Sequence, residues 1–276
     1  MRLLVGLVLG AMLACNTKHP APKQEAVGSA TAAKDPWDLP AGSAEPVPNW
    51  AHDPPARLRD KILAVNAHVD VLKSTTTFAE YRDVLALAEH TPGVVAAEAF
   101  IFSELLIAKP GKPGVGIAIK AVDPSRVGRV LGLGPHMKAG TLDSLGTKSE
   151  PPPMVIGDDL ARKLDVRVGD AVTVTSHDDG DVVPIQPTAF RVTGLFHMDF
   201  DEYDERLALV PLSTMQAMLG RGDQVMGIEM TVRDLAHSDE IAKSLEKALG
   251  GPPYQAMDWY DLNTKLFHAL YGERRP

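Results

Sequence analysis

Val94 to Ala108 is a fifteen-residue strand-like run, closed by Lys109-Pro-Gly-Lys-Pro-Gly114 and answered by a second strand-like run, Val115 to Val122. Proline removes a backbone donor and glycine permits left-handed backbone, so the six-residue break turns the chain. The stretch therefore commits the fold to a long hairpin. Helical spacing precedes it. Ala56 to Asn66 places Leu58, Ile62, Leu63 and Val65 on or near one face, and Phe78 to Glu89 repeats Phe78, Tyr81, Leu85 and Ala88 until Thr91-Pro92-Gly93 stops it. Between the two, His68 to Leu72 alternates as a strand.

Beyond the hairpin, Pro124 to Leu131 reads as a short helix and Gly132 to Pro153 as an irregular crossing. Asp158 to Leu164 is a short helix. Val166 to Val174 holds two β-rich pieces around the turn dipeptide Gly169-Asp170, and Phe190 to Phe196 is a strand. Mixed patterning then returns. The strands are Leu207 to Val210, Ile228 to Val232 and Tyr254 to Trp259. The helices are Pro211 to Leu219, Ser238 to Leu249 with Ser238 as N-cap, and Asp261 to Tyr271. The order predicts an α+β fold: a mixed α/β subdomain built from both chain ends, with a smaller β-rich subdomain inserted at about 154–198.

The first residues follow a different logic. Met1-Arg2 is a positive start, and Leu3 to Leu13 is an apolar run of eleven residues. A helix of that length falls short of the ~30 Å hydrocarbon layer and suits a secretory signal. Ala14-Cys15 follows, as in a bacterial lipobox, so residues 1–14 are expected to be removed and Cys15 acylated. Cys15 is the only cysteine in the chain, which excludes an internal disulfide. Asn16, where Asp often marks inner-membrane retention, favours the outer membrane. Residues 15–55 form a linker. From Asn16 onward it has eight Pro and eight Ala in forty residues and no periodicity that could bury a face.

The net charge of -8 argues against a phosphate-tracking nucleic-acid binder. Nine His residues are scattered without a His-Glu-x-x-His pair, and neither a Gly-x-Ser-x-Gly elbow nor a phosphate loop is present. His177-Asp178-Asp179-Gly180-Asp181 departs from the EF-hand spacing, so it reads as a solvated turn. The acidic run Asp199 to Glu205 reads as a structural loop, and Trp259 and Phe267 as core. Catalytic residues, cofactor and metal are therefore expected to be absent.

Four stretches in order carry a resemblance: Val155 to Val174, Phe190 to Phe196, Glu202-Tyr-Asp204 with Leu207 to Val210, and Met257-Asp-Trp259 with Asn263, Leu266 and Phe267. Together they resemble the LolC/LolE permease subunits of lipoprotein-releasing ABC transporters and, more distantly, the MacB-like periplasmic core domain. The resemblance spans most of 57–276. It implies a periplasm-facing domain that, in that family, lies between two membrane helices. Here a lipobox and linker stand in place of the first helix, and no apolar run of about twenty residues occurs. The expected protein is thus membrane-anchored through lipid at Cys15, or else is one piece of a split permease; an envelope hydrolase is disfavoured.

In LolC-type members a long hairpin holds the soluble lipoprotein carrier. Here fifteen residues, Thr175 to Ala189, separate Val174 from Phe190, against the usual two to five in a hairpin. Val182, Val183, Pro184 and Ile185 would present apolar groups on this arm as a docking site. The expected partner is an envelope protein, such as a lipoprotein carrier or an ABC transporter complex.

Overall fold

The computed structural model describes residues 53–176 and 185–271. Two β assemblies share one long strand. Strands β1 (Val69–Lys73), β2 (Val94–Ala108), β9 (Gly227–Val232) and β10 (Tyr254–Asp258) pair antiparallel in the order β10-β1-β9-β2. With helix α2 (Tyr81–His90) between β1 and β2, and α7 (Ser238–Ala248) between β9 and β10, this is the split βαβ arrangement. Chain-start and chain-end strands thus build one sheet, as expected.

The second half of β2 leaves the sheet and joins a barrel. It pairs with β3 (Val115–Val122) along Ile101 to Ile107. From there pairing runs to β8 (Leu207–Pro211), β5 (Pro153–Gly157), β7 (Thr188–Phe196), β6 (Ala171–Thr175) and back to β2 at Leu106 to Ala108, which closes a ring of six strands. A short strand, β4 (Met137–Gly140), adds to the outside of β7. The expected 154–198 insert is therefore only part of the β-rich unit. Its strands β5, β6 and β7 cannot close without β2, β3 and β8, because a ring needs every edge paired. Val166 to Asp170 is a turn rather than a strand, with the Asp170 carboxylate accepting from the Arg167 N–H at 3.1 Å.

Alternation along the strands sorts the side chains. In the barrel, Leu105, Ile107, Ile117, Ile119, Val172, Val174, Phe190 and Val192 are buried in one cluster, which α4 (Asp158–Leu164) extends through Leu160 and Leu164. The same cluster continues over the sheet through Val69, Val71, Ile228 and Met230 to α2 and α7. The opposite sheet face is covered by α1 (Pro55–Val65), α3 (Val127–Val130) and α8 (Trp259–Tyr271), with Leu58, Ile62, Val130, Trp259 and Phe267 buried. Between β8 and the loop into β9 lies α6 (Leu212–Leu219).

Local chemistry ends the elements. His237, not Ser238, occupies the N-cap of α7. The Ser238 hydroxyl is buried and donates to Asp258 Oδ2 at 2.9 Å, so its expected capping role is replaced by a tertiary bond. Asp258 also accepts from the Tyr260 and Asp261 N–H groups (3.1 and 2.9 Å), satisfying the otherwise orphaned start of α8. At the lateral strand β10, Glu246 Oε2 accepts from the outward Ala256 N–H at 2.9 Å.

Candidate functional site

Strands β6 and β7 form the root of the predicted arm and pair up to Val174↔Thr188. The connection leaves and returns at one rim of the barrel. Val182, Val183 and Pro184 lie outside the described residues, as do Cys15 and the His177 to Asp181 run. Ile185 is described, and it is not an exposed anchor. It is 6% exposed and belongs to the cluster of Val174 and Phe190. It sits three residues before β7, where the apolar barrel interior needs a closing side chain, so burial wins over display.

At the far end of β7 the acidic run folds around His197. Its Nδ1 lies 2.8 Å from Asp158 Oδ1 and 3.3 Å from Asp204 Oδ2, and its Nε2 lies 2.9 Å from Asp199 Oδ1. Burial pulls the imidazole down, but Asp158, Asp204 and Asp199 together lift its pKa above the ordinary value. Asp204 accepts from the Met198 and Phe200 N–H groups at 2.8 and 3.0 Å, and the Tyr203 hydroxyl accepts from Asn66 at 2.8 Å. Gly157 is required here, because a Cβ would lie 2.1 Å from the Asp204 carbonyl oxygen. The Glu-Tyr-Asp run (202–204) is thus a tightly bonded loop, and α5 (Asp201–Asp204) is its single turn.

Asp158, Asp159 and His197 bring their ligating atoms within 4.8 Å of one another. Arg162 already contacts Asp159, and both His197 nitrogens have carboxylate partners, so the group serves as an ion-pair node joining α4 to the loop. A cleft of about 560 Å³ opens beside it, where Arg57, Lys61 and Lys138 face Asp60 and Asp199. Opposite charges share this wall, which gives it no preference for one ionic class.

A third constellation was not legible in the sequence. Asp70, Glu229 and Glu98 stand directly opposite one another on β1, β9 and β2, in one row on the face beneath α1. All are at most 3% exposed, as is Lys120 on β3. Lys120 Nζ donates to Glu229 Oε2 at 2.7 Å and to the Val65 carbonyl at the end of α1 at 2.8 Å. The Ala67 N–H donates to Glu229 at 3.3 Å, and the Asp123 N–H to Glu98 Oε2 at 2.9 Å. Asp70 Oδ1, Glu98 Oε1 and Glu229 Oε1 have no hydrogen-bond partner. Burial first, then the Glu229 charge, pushes the Asp70 and Glu98 carboxyls well above the usual range, with Lys120 opposing.

Residues 53–248 match the family model of the MacB-like periplasmic core domain. The chain belongs to that family. The lipoprotein-releasing system transmembrane protein LolC of Xylella fastidiosa (strain Temecula1 / ATCC 700964) is 31% identical over 220 residues, covering 79% of this chain and 52% of that protein. LolC of Neisseria meningitidis serogroup B (strain ATCC BAA-335 / MC58) is 25% identical over 222 residues, with the same coverage of 79% and 52%. The chain spans about half the length of the curated relatives it matches.

The solved periplasmic region of MacB from Actinobacillus actinomycetemcomitans shares the fold, with a TM-score of 0.50 at 14% identity over 75% of this chain and 97% of that one. The MacB-like region takes in the whole barrel, β1, β9 and helix α7. The fourth stretch of the resemblance lies beyond it and has a structural explanation. Asp258 caps α8, Asn263 donates to the Trp259 carbonyl at 2.7 Å, and Trp259 meets Phe267 edge-to-face at 5.6 Å. Among the described residues no helix is long and apolar enough to cross a membrane.

Proposed function

We propose that this member of the MacB-like family is a non-catalytic docking module, held at a membrane by lipid on Cys15 and acting in lipoprotein trafficking or a related envelope transport step. The observation that carries the reading is the match to LolC proteins over 220 residues. The matched proteins are named as components of a lipoprotein-releasing system, which points to a lipoprotein carrier or a transporter complex as the partner. The arm between β6 and β7 is the docking element, with Val182 and Val183 as its apolar anchors. Ile185 has a different task, sealing the barrel at its rim. A few buried apolar anchors can supply most of the energy of such an interface.

The test is capture of crosslinked partners from envelopes by the full-length protein, with Val183→Asp as the variant. The expected result is loss of a lipoprotein carrier or transporter subunit from the captured set with no change in melting temperature. Equal capture by both proteins counts against the arm. Mass spectrometry of the mature N-terminus tests the anchor: an acylated Cys15 is expected, and an unmodified thiol removes the lipid from the reading. A second reading, a periplasmic piece that works with a separately encoded membrane part, rests on the similarity to a transmembrane protein of a lipoprotein-releasing system. It predicts stable copurification of a permease in detergent, even with the Val183→Asp arm.

A further inference from the structure

The buried row on β1, β9 and β2 has a charge imbalance that geometry alone exposes. Three carboxyl groups face one ammonium group, Lys120, and all four are at most 3% exposed. Directly opposed side chains in an antiparallel sheet have Cβ atoms only about 5 Å apart. Two further negative charges at that spacing, shielded from water, would repel strongly. Each of the three carboxyl groups also has one oxygen without a partner: Asp70 Oδ1, Glu98 Oε1 and Glu229 Oε1.

Two protons resolve both problems. One on Asp70 and one on Glu98, each donated towards the central Glu229 Oε1, would give all three orphan oxygens a partner, since a carboxylate oxygen accepts two bonds. The four groups would then sum to zero charge. Glu229 Oε2 stays free to hold Lys120 and the Ala67 N–H, and Lys120 stays on the Val65 carbonyl. Both of the last contacts fasten the chain at the end of α1 to the sheet.

We propose that Asp70, Glu229 and Glu98 share two protons and form, with Lys120, a latch that keeps the end of α1 seated on the sheet. The charged groups that act on the row from the surrounding elements are Lys120 on β3 and Asp123 just after it; Asp123 also supplies its N–H to Glu98. At the end of α1 the row meets the Val65 carbonyl through Lys120, and just beyond it the Ala67 N–H. Folded-state proton affinity above the unfolded value means that the stabilisation is complete below the ordinary carboxylate range. It is lost as pH rises through the raised values, when negative charge returns to Asp70 and Glu98 and the three carboxylates of the row repel one another.

Infrared spectroscopy of the full-length protein reads the protons directly. At pH 7 the C=O stretch of neutral carboxylic acid is expected, with Asp70→Asn and Glu98→Gln each removing about half of it. No difference in that region between the unmodified protein and the double variant, once the ester absorbance of any lipid is cancelled in the subtraction, overturns the proposal. Should a variant fail to fold, aspartate- and glutamate-specific isotope labels in the unmodified protein decide the same point, because one acid of each type must shift. Hydrogen exchange at the Ala67 amide reads the latch. After correction for intrinsic rate, opening is expected to rise about tenfold per pH unit for each proton released, and to lose this slope in Asp70→Asn/Glu98→Gln. A pH-independent opening in the unmodified protein refutes the latch.

Discussion

The barrel and the sheet are made from the same long strand, yet they treat charge in opposite ways. Inside the barrel, β2 contributes Leu105 and Ile107 to an interior cluster of apolar side chains. In the sheet, seven positions before Leu105, the same strand buries Glu98 in the row with Glu229 and Asp70. The ring and α4 line this interior with apolar side chains, so a charge there would find no polar partner. The sheet face is closed instead by α1, α3 and α8, and the ends of α1 and α3 bring the Val65 and Val130 carbonyls as polar groups of their own. Charge is tolerated where a helix terminus meets the strands, and excluded where only strands meet each other.

Removing the one ammonium group should break this comparison most severely. Lys120→Met leaves Glu229 buried without its cation, and chemical denaturation at pH 7 should show a loss of about 4 kcal/mol. The loss should shrink towards pH 5, where the raised Asp70 and Glu98 carboxyls hold their protons and the row carries less negative charge for the missing cation to offset. A barrel substitution sharpens the contrast. Leu105→Ala should cost about 3 kcal/mol through lost burial and a residual cavity, with the same value at pH 5 and pH 8. Equal pH profiles for the two variants would remove the distinction between the halves.

The smallest effect is expected at the ion-pair node between them. His197→Ala should cost about 1 kcal/mol or less, because the node is partly open to solvent. His197 has its pKa raised in the folded protein. Its contribution is therefore fully present below the ordinary histidine value and fades as pH rises through the raised one. Thermal melts of the two proteins should differ at pH 6 and converge by pH 9.

Strands bounded by strong turn chemistry were the most legible. Val94–Ala108 and Val115–Val122 have the expected boundaries, because Lys109 to Gly114 leaves no alternative place to turn. Strand pairing was less so. Nothing local in Val166 to Val174 or Phe190 to Phe196 says that β6 must close on Leu106 to Ala108, more than sixty residues earlier. Ile185 misled for a related reason. A lone isoleucine between two prolines looks like loop surface until the barrel rim is placed over it. The buried row was invisible because Asp70 within Val69-Asp-Val71 reads as the wet face of a half-exposed strand. Only the packing of α1, α3 and α8 over that face, a tertiary fact, turns the same alternation into a buried charge. The Glu-Tyr-Asp and Asp-Trp motifs were found by resemblance, and the structure supplies their reason: carboxylates that satisfy backbone N–H groups.

Glu246 holds the amide of Ala256 from outside β10. A lateral strand with free amides invites a neighbouring copy to extend the sheet. With this donor already engaged by its own helix, copies crowded side by side meet a flank that offers less for ribbon growth. The carboxylate would also repel its counterpart on the approaching molecule, so dense packing on a surface need not end in aggregation.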